Sequence, residues 1–161
     1  MTLNSFLRLE PEYRDYVWGG GRLRPGIDPT AEAWVVWEED RVRSGDLAGR
    51  MLGEISSEFG ASLLGQRTVA RTGKRFPILI KLLDCAQWLS LQVHPNDKQA
   101  IELEGSGQFG KTEAWHILEA NPDARLIAGV RANTAPETLV TAIRNGSVIE
   151  HMQYAEVSAG D

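Results

Sequence analysis

The chain has 161 residues, 42% of them hydrophobic and 24% charged, with 17 Lys and Arg against 22 Asp and Glu for a formal net charge of −5. That length suits one core, so a single domain over residues 1–161 is expected. The lack of a basic stripe argues against nucleic acid as a partner, although a small phosphorylated ligand needs only one or two placed cations. Cys85 is the sole cysteine, which removes any intrachain disulfide and makes a reducing, cytoplasmic setting the natural expectation. Arg8, Glu10, Glu12 and Arg14 interrupt any apolar signal core. No apolar run approaches the roughly 20 residues a membrane span requires.

In chain order, Ala33-Trp34-Val35-Val36-Trp37 reads as a β-rich run closed by Glu38-Glu39-Asp40, with Arg41-Val42-Arg43 as its hairpin partner. From Asp46 to Leu64 the apolar period lengthens through Leu47, Met51, Leu52, Ile55 and Phe59, which predicts helix, with Gly60 as a stop and a further turn over Ala61 to Leu64. Pro77 opens a strand over Ile78 to Leu83, and Trp88 to His94 is its predicted neighbour. Asn96 or Asp97 can cap a short helix over Lys98 to Leu103, and Gly105-Ser106-Gly107 reads as a loop. Glu113 to Ala120 and Arg125 to Val130 are strand-like, separated by the Asn121-Pro122-Asp123 turn. Thr134 and Glu137 form a capping box for a helix ended by Gly146, and a turn at Val148 to Met152 leads to a last strand near Gln153 to Val157. Many short strands with occasional helices favour a β-sandwich or small barrel, of jelly-roll or cupin-like form.

Chemistry concentrates in two segments. In Leu89-Ser90-Leu91-Gln92-Val93-His94 a strand would put the apolar side chains on one face and Ser90, Gln92 and His94 on the other. That polar face is either solvated or lines a lumen where Gln92 and His94 could share one ion. In Gly110-Lys111-Thr112-Glu113-Ala114-Trp115-His116, Glu113 and Trp115 would share a face, and a carboxylate joining Gln92 and His94 makes an oxygen, nitrogen, oxygen set suited to zinc or another borderline divalent ion. His116 would point away from that set, as a packed or partly exposed side chain, and His151 sits on a short helix near the end. Gly19-Gly20-Gly21 lacks a phosphate-loop context and reads as a turn needing unusual backbone angles. Trp18, Trp34, Trp37, Trp88 and Trp115 read as core aromatics, Trp115 beside the site.

The pair Leu89-Ser90-Leu91-Gln92-Val93-His94-Pro95-Asn96-Asp97 and Gly110-Lys111-Thr112-Glu113-Ala114-Trp115 closely resembles the paired signature of type I phosphomannose isomerases. Tyr16-Val17-Trp18-Gly19-Gly20 is similar to that family's amino-terminal motif, and Phe76-Pro77-Ile78-Leu79-Ile80-Lys81 to its strand before the metal motif. The resemblance implies a zinc-dependent, mainly β, cupin-like enzyme that interconverts mannose 6-phosphate and fructose 6-phosphate. It places Gln92, His94 and Glu113 on three of four zinc ligands, and Lys81, Ser90 and Lys111 on polar positions of the substrate site, with Trp115 beside them. Lys81 and Lys111 are the candidate catalytic cations, for a phosphate or a developing oxyanion. The family's fourth ligand, a histidine, and a later arginine lie beyond Asp161, so the barrel is expected to be incomplete at its C-terminal end. Its edges would then favour a homodimer or strand exchange. The alternatives are a non-catalytic cupin-like module that binds sugar or metal, or a fragment completed by another chain.

Overall fold

A computed structural model describes residues 6–27 and 29–161. Contacts group the chain into two compact units, Met1–Gln92 and Val93–Asp161.

The first unit is built on an antiparallel sheet of β1 (Glu12–Arg14), β2 (Glu32–Val36) and β3 (Ile80–Leu83), in that order. Glu12 stands opposite Trp34 and Trp34 opposite Lys81, while Arg14 faces Glu32 and Glu32 faces Leu83. Because side chains alternate along a strand, Glu12, Arg14, Glu32, Trp34 and Lys81 share one face, and Tyr13, Ala33 and Leu82 share the other. β2 is central and its start is dry: Glu32 and Ala33 are buried, as is Ala31 just before them, and Val42, Leu52 and Ile55 are the other buried apolar side chains among the described residues of this unit. Three helices connect β2 to β3, namely α1 (Leu52–Phe59), α2 (Ala61–Leu64) and α3 (Gln66–Thr72). Leu52, Ile55 and Ser56 form the buried stripe of α1. The Ser56 hydroxyl reaches the Lys74 carbonyl at 2.9 Å, tying that helix to the chain that enters β3.

Two expectations change here. Arg41 to Arg43 does not form a hairpin with β2, because both edges of β2 are taken by β1 and β3. Arg41 bridges Met51 and Val42 bridges Leu9 instead. The helical region extends one helix further than the periodicity suggests, since α3 has no buried residue and so no apolar stripe to announce it.

In the second unit, α4 (Asp97–Glu104) is followed by β4 (Arg125–Val130), α5 (Pro136–Asn145), a 3-10 turn over Val148–His151 and β5 (Met152–Glu156). β4 and β5 pair antiparallel with Arg125 opposite Glu156. Ala100, Ala142 and Met152 are its buried apolar side chains. α5 starts one residue later than the capping box implies: Ala135 is the cap residue and Pro136 takes the first helical position, where its missing N–H costs nothing. Gly146 ends α5 in the left-handed conformation, as expected.

Trp88 to His94 and Glu113 to Ala120 carry no ladder among the described residues. Alternation of side chains selects a face, but a strand is defined by a hydrogen-bonded partner, and neither segment meets one here. In the second of them Ile117 N–H donates to the Asp161 carbonyl at 2.9 Å instead, and just before it Lys111 N–H donates to the Pro95 carbonyl at 3.0 Å. Among the described residues the two sheets are open.

Candidate metal and sugar-phosphate site

His94 is followed at once by the start of α4. The Asn96 Oδ1 accepts from Gln99 N–H at 2.9 Å and the Gln99 Oε1 accepts from Asn96 N–H at 3.0 Å, a reciprocal cap on the first turn of α4. The Gly110-Lys111 stretch then returns to this corner, with Gly110 N–H donating to Asp97 Oδ1 at 2.9 Å. A side chain at position 110 would put its Cβ 2.5 Å from the Asn96 carbonyl carbon, so only glycine lets the two backbones meet this closely.

That approach brings Glu113 to His94. Glu113 Oε2 lies 3.6 Å from His94 Nε2 and 3.5 Å from Lys111 Nζ. The His94 and Glu113 side chains are 26% and 23% exposed, neither in bulk water nor sealed from it. A separation of 3.6 Å is beyond hydrogen-bond reach. It matches two donors of one ion: with bonds of about 2.0 to 2.2 Å, tetrahedral geometry sets donor atoms roughly 3.3 to 3.6 Å apart. The residues therefore fit a divalent ion such as zinc. Among the described residues there is no group of three or more His, Cys, Asp and Glu side chains that could hold a metal, so a third protein donor would have to be of another type, as an amide oxygen is.

The first unit holds Gln92, Ser90 and Lys81. Gln92 Nε2 donates to Ser90 Oγ at 3.1 Å, which leaves the amide oxygen as the acceptor end of that side chain. Lys81 Nζ sits 3.1 Å from Glu32 Oε1, and the second oxygen of that carboxylate accepts from Trp34 Nε1 at 2.5 Å. Register explains this contact, because Glu32 on β2 is diagonal to Lys81 on β3 across the same face. The Arg14 guanidinium covers the Trp34 ring at 4.5 Å. Glu32 is buried. Its candidacy was open to the sequence only through the Glu32-Ala33-Trp34 alternation, one residue upstream of the predicted strand.

Other expectations are corrected. None of the five tryptophans is in the buried core: Trp88 and Trp115 are 55% and 41% exposed and Trp18, Trp34 and Trp37 are half-buried, with Tyr16 and Trp18 stacked on each other at a ring-centroid distance of 5.8 Å. Gly19 and Gly20 have no positive φ. Glycine is needed there for space, since a Cβ on Gly19 would meet Ala31 N at 2.5 Å and one on Gly20 would meet Asp84 Oδ2 at 2.5 Å. His116 is exposed, and its Nδ1 lies 3.1 Å from the Asp161 carbonyl. His151, half-buried on the 3-10 turn, carries the carbonyl that accepts from Arg131 N–H. Cys85 is exposed at the surface, but the protein around it still desolvates its thiol in part, which, with the charges of Asp84 and Glu32, raises it above its usual range.

With this geometry in view, the sequence matches over residues 6–109 the family described as "Phosphomannose isomerase type I, catalytic domain", and the chain belongs to that family. It is 38% identical over 141 residues to the probable mannose-6-phosphate isomerase GmuF of Bacillus subtilis, covering 81% of this chain and 43% of the relative. It is 35% identical over 164 residues to mannose-6-phosphate isomerase ManA of the same organism, covering 96% and 50%. The crystal structure of the mannose 6-phosphate isomerase from Bacillus subtilis superposes with a TM-score of 0.83 at 32% identity, over 96% of this chain and 50% of that one. The chain thus spans about half the length of the curated relatives it matches and shares their fold over that half. None of the described helices is long and apolar enough to cross a membrane.

Proposed function

We propose that this chain carries the metal-site half of an aldose–ketose isomerase acting on mannose 6-phosphate and fructose 6-phosphate, in a cupin-like barrel domain that includes both units, and that it works in the cytoplasm. The observation that carries the reading is the His94–Glu113 approach at 3.6 Å with Lys111 beside it, because it joins the two family signatures through atoms spaced for one ion. Gln92, two residues before His94, is the third proposed ligand through its amide oxygen. Zinc bound there would polarise sugar oxygens and stabilise developing negative charge.

The protein's own groups have separable tasks. Lys111, paired with Glu113 and 46% exposed, offers an ammonium to a phosphate or to an oxyanion. Lys81 is held by Glu32 and can donate to a sugar or phosphate oxygen from a fixed position. Ser90 orients the Gln92 amide, and the half-exposed Trp115 ring offers an apolar wall to the sugar. Isomerisation moves a proton between adjacent carbons, so a base must also act. β3 is a sheet edge bearing exposed Ile80 and Leu82, which supports association with a second copy or with further chain.

Zinc or cobalt titrated into the 161-residue chain tests this reading. His94→Ala and Glu113→Ala should each abolish or strongly weaken binding of the metal. Lys111→Ala should spare the metal and weaken binding of mannose 6-phosphate more than that of mannose. Metal affinity unchanged in both ligand variants would refute the metal site. Equal loss for the phosphorylated and plain sugar would refute the role of Lys111.

A further inference from the structure

We propose that Asp97 is a positioning residue for the metal-ligand pair: its carboxylate, acting on a glycine at 110, sets the Lys111-Thr112-Glu113 stretch against the chain that carries His94. The inference rests on the metal reading above and adds to it what holds Glu113 in place.

Glu113 lies in a segment without a ladder among the described residues, so no sheet fixes its position. Between α4 and Glu113 the chain has no helix or strand, and it turns through Gly105 and Gly107, both at positive φ. Two adjacent amides reach across instead. Gly110 N–H donates to Asp97 Oδ1 at 2.9 Å and Lys111 N–H to the Pro95 carbonyl at 3.0 Å. Both acceptors lie within three residues of His94, and Lys111 lies two residues before Glu113. The clamp therefore joins the two ligand-bearing segments within three residues of each ligand.

The contact also has little slack. A Cβ at position 110 would fall 2.5 Å from Asn96 C, 2.6 Å from Pro95 O and 2.7 Å from Asp97 N, all backbone atoms that cannot swing aside. Ligand atoms must be held to about 0.5 Å for a site to work, and this backbone contact has that precision where a free loop does not. The pairing asks only for an acceptor on the side chain at 97, which an amide oxygen supplies as well as a carboxylate. Asparagine should substitute and alanine should not.

The test uses the 161-residue chain, with cobalt or zinc titration read by absorbance and calorimetry, amide hydrogen exchange by NMR, and thermal melting. Asp97→Ala and Gly110→Ala should weaken metal binding about 10-fold or more, in the range seen when groups supporting a ligand are removed. Asp97→Asn should stay near wild type. Exchange protection of the Gly110 and Lys111 amides should vanish in Asp97→Ala and persist in Asp97→Asn. Asn96→Ala, which loses the α4 cap but keeps Gly110's acceptor, should lower the melting temperature and leave metal affinity intact. Metal affinity lost equally in Asn96→Ala and Asp97→Ala would overturn the proposal in favour of plain helix stability, and so would protection that survives Asp97→Ala. If His94→Ala takes up metal as wild type does, the metal reading falls and the positioning role with it. The exchange data separate that result from a failure of the clamp.

Discussion

Lys81→Met and Glu32→Gln break the same ion pair, yet the lysine variant should be the less stable of the two. The Glu32 side chain is 7% exposed and that of Lys81 20%. Removing the ammonium leaves a nearly dry carboxylate with the Trp34 indole N–H at 2.5 Å as its named remaining donor. Stranding a buried charge in this way costs about 3 to 5 kcal/mol when burial is complete, so about 3 kcal/mol is expected here. Glu32→Gln keeps an oxygen for Trp34 and leaves an ammonium that can turn to water, for about 1 to 2 kcal/mol. At roughly 2 to 4 °C per kcal/mol for a chain of this size, Lys81→Met should lower the melting temperature by about 6 to 12 °C, more than Glu32→Gln does. The double variant buries no charge and should be no worse than Lys81→Met alone. Urea titration followed by tryptophan fluorescence reports on this face directly, because Trp34 is part of it. Glu32→Gln costing as much as Lys81→Met, or single losses that simply add in the double variant, would refute the argument that a desolvated pair holds Lys81.

Other consequences are smaller. Asp40 is buried and its carboxyl is pushed above the ordinary range, chiefly by burial and further by the charge of Glu12. The folded chain then holds this proton more readily than the unfolded chain, so Asp40 costs stability as pH rises from the unfolded value of about 3.9 through the raised folded one. The difference in melting temperature, Asp40→Asn minus wild type, should grow between about pH 4 and pH 7, and a difference independent of pH would count against it. Gly19→Ala drives a Cβ into the backbone of Ala31 and should cost about 1 to 3 kcal/mol. Gly26→Ala, in open space at φ 85, carries only conformational strain and should cost less; melts ranking the two the other way would contradict this. The raised Cys85 thiol should react with iodoacetamide more slowly in the folded chain than in urea, and equal rates would show that its surroundings have no effect.

How much of this was legible in the sequence depended on the range of the interaction. The caps at Asn96 and Gly146 and the stripe of α1 are local, written within one or two turns, and they were readable. The cluster of His94, Glu113 and Lys111 came through family resemblance, since spacing alone cannot show that two segments about twenty residues apart meet. The alternation in Leu89 to His94 predicts a strand, and there the pattern misleads, because alternation records which way side chains would point and not whether a partner strand is present. Glu32 was missed for a related reason: its meaning lies in a diagonal across β2 and β3, and a lone glutamate at the start of a strand looks like any solvated one. The glycines make the point most sharply. A glycine in sequence is ambiguous between a need for positive φ and a need for no Cβ, and Gly19, Gly20 and Gly110 are of the second kind, where the constraint sits in another segment altogether. At Gly110 that other segment is Pro95-Asn96-Asp97, next to His94. The residue that lets Glu113 approach the histidine therefore carries no side chain by which sequence reasoning could have found it.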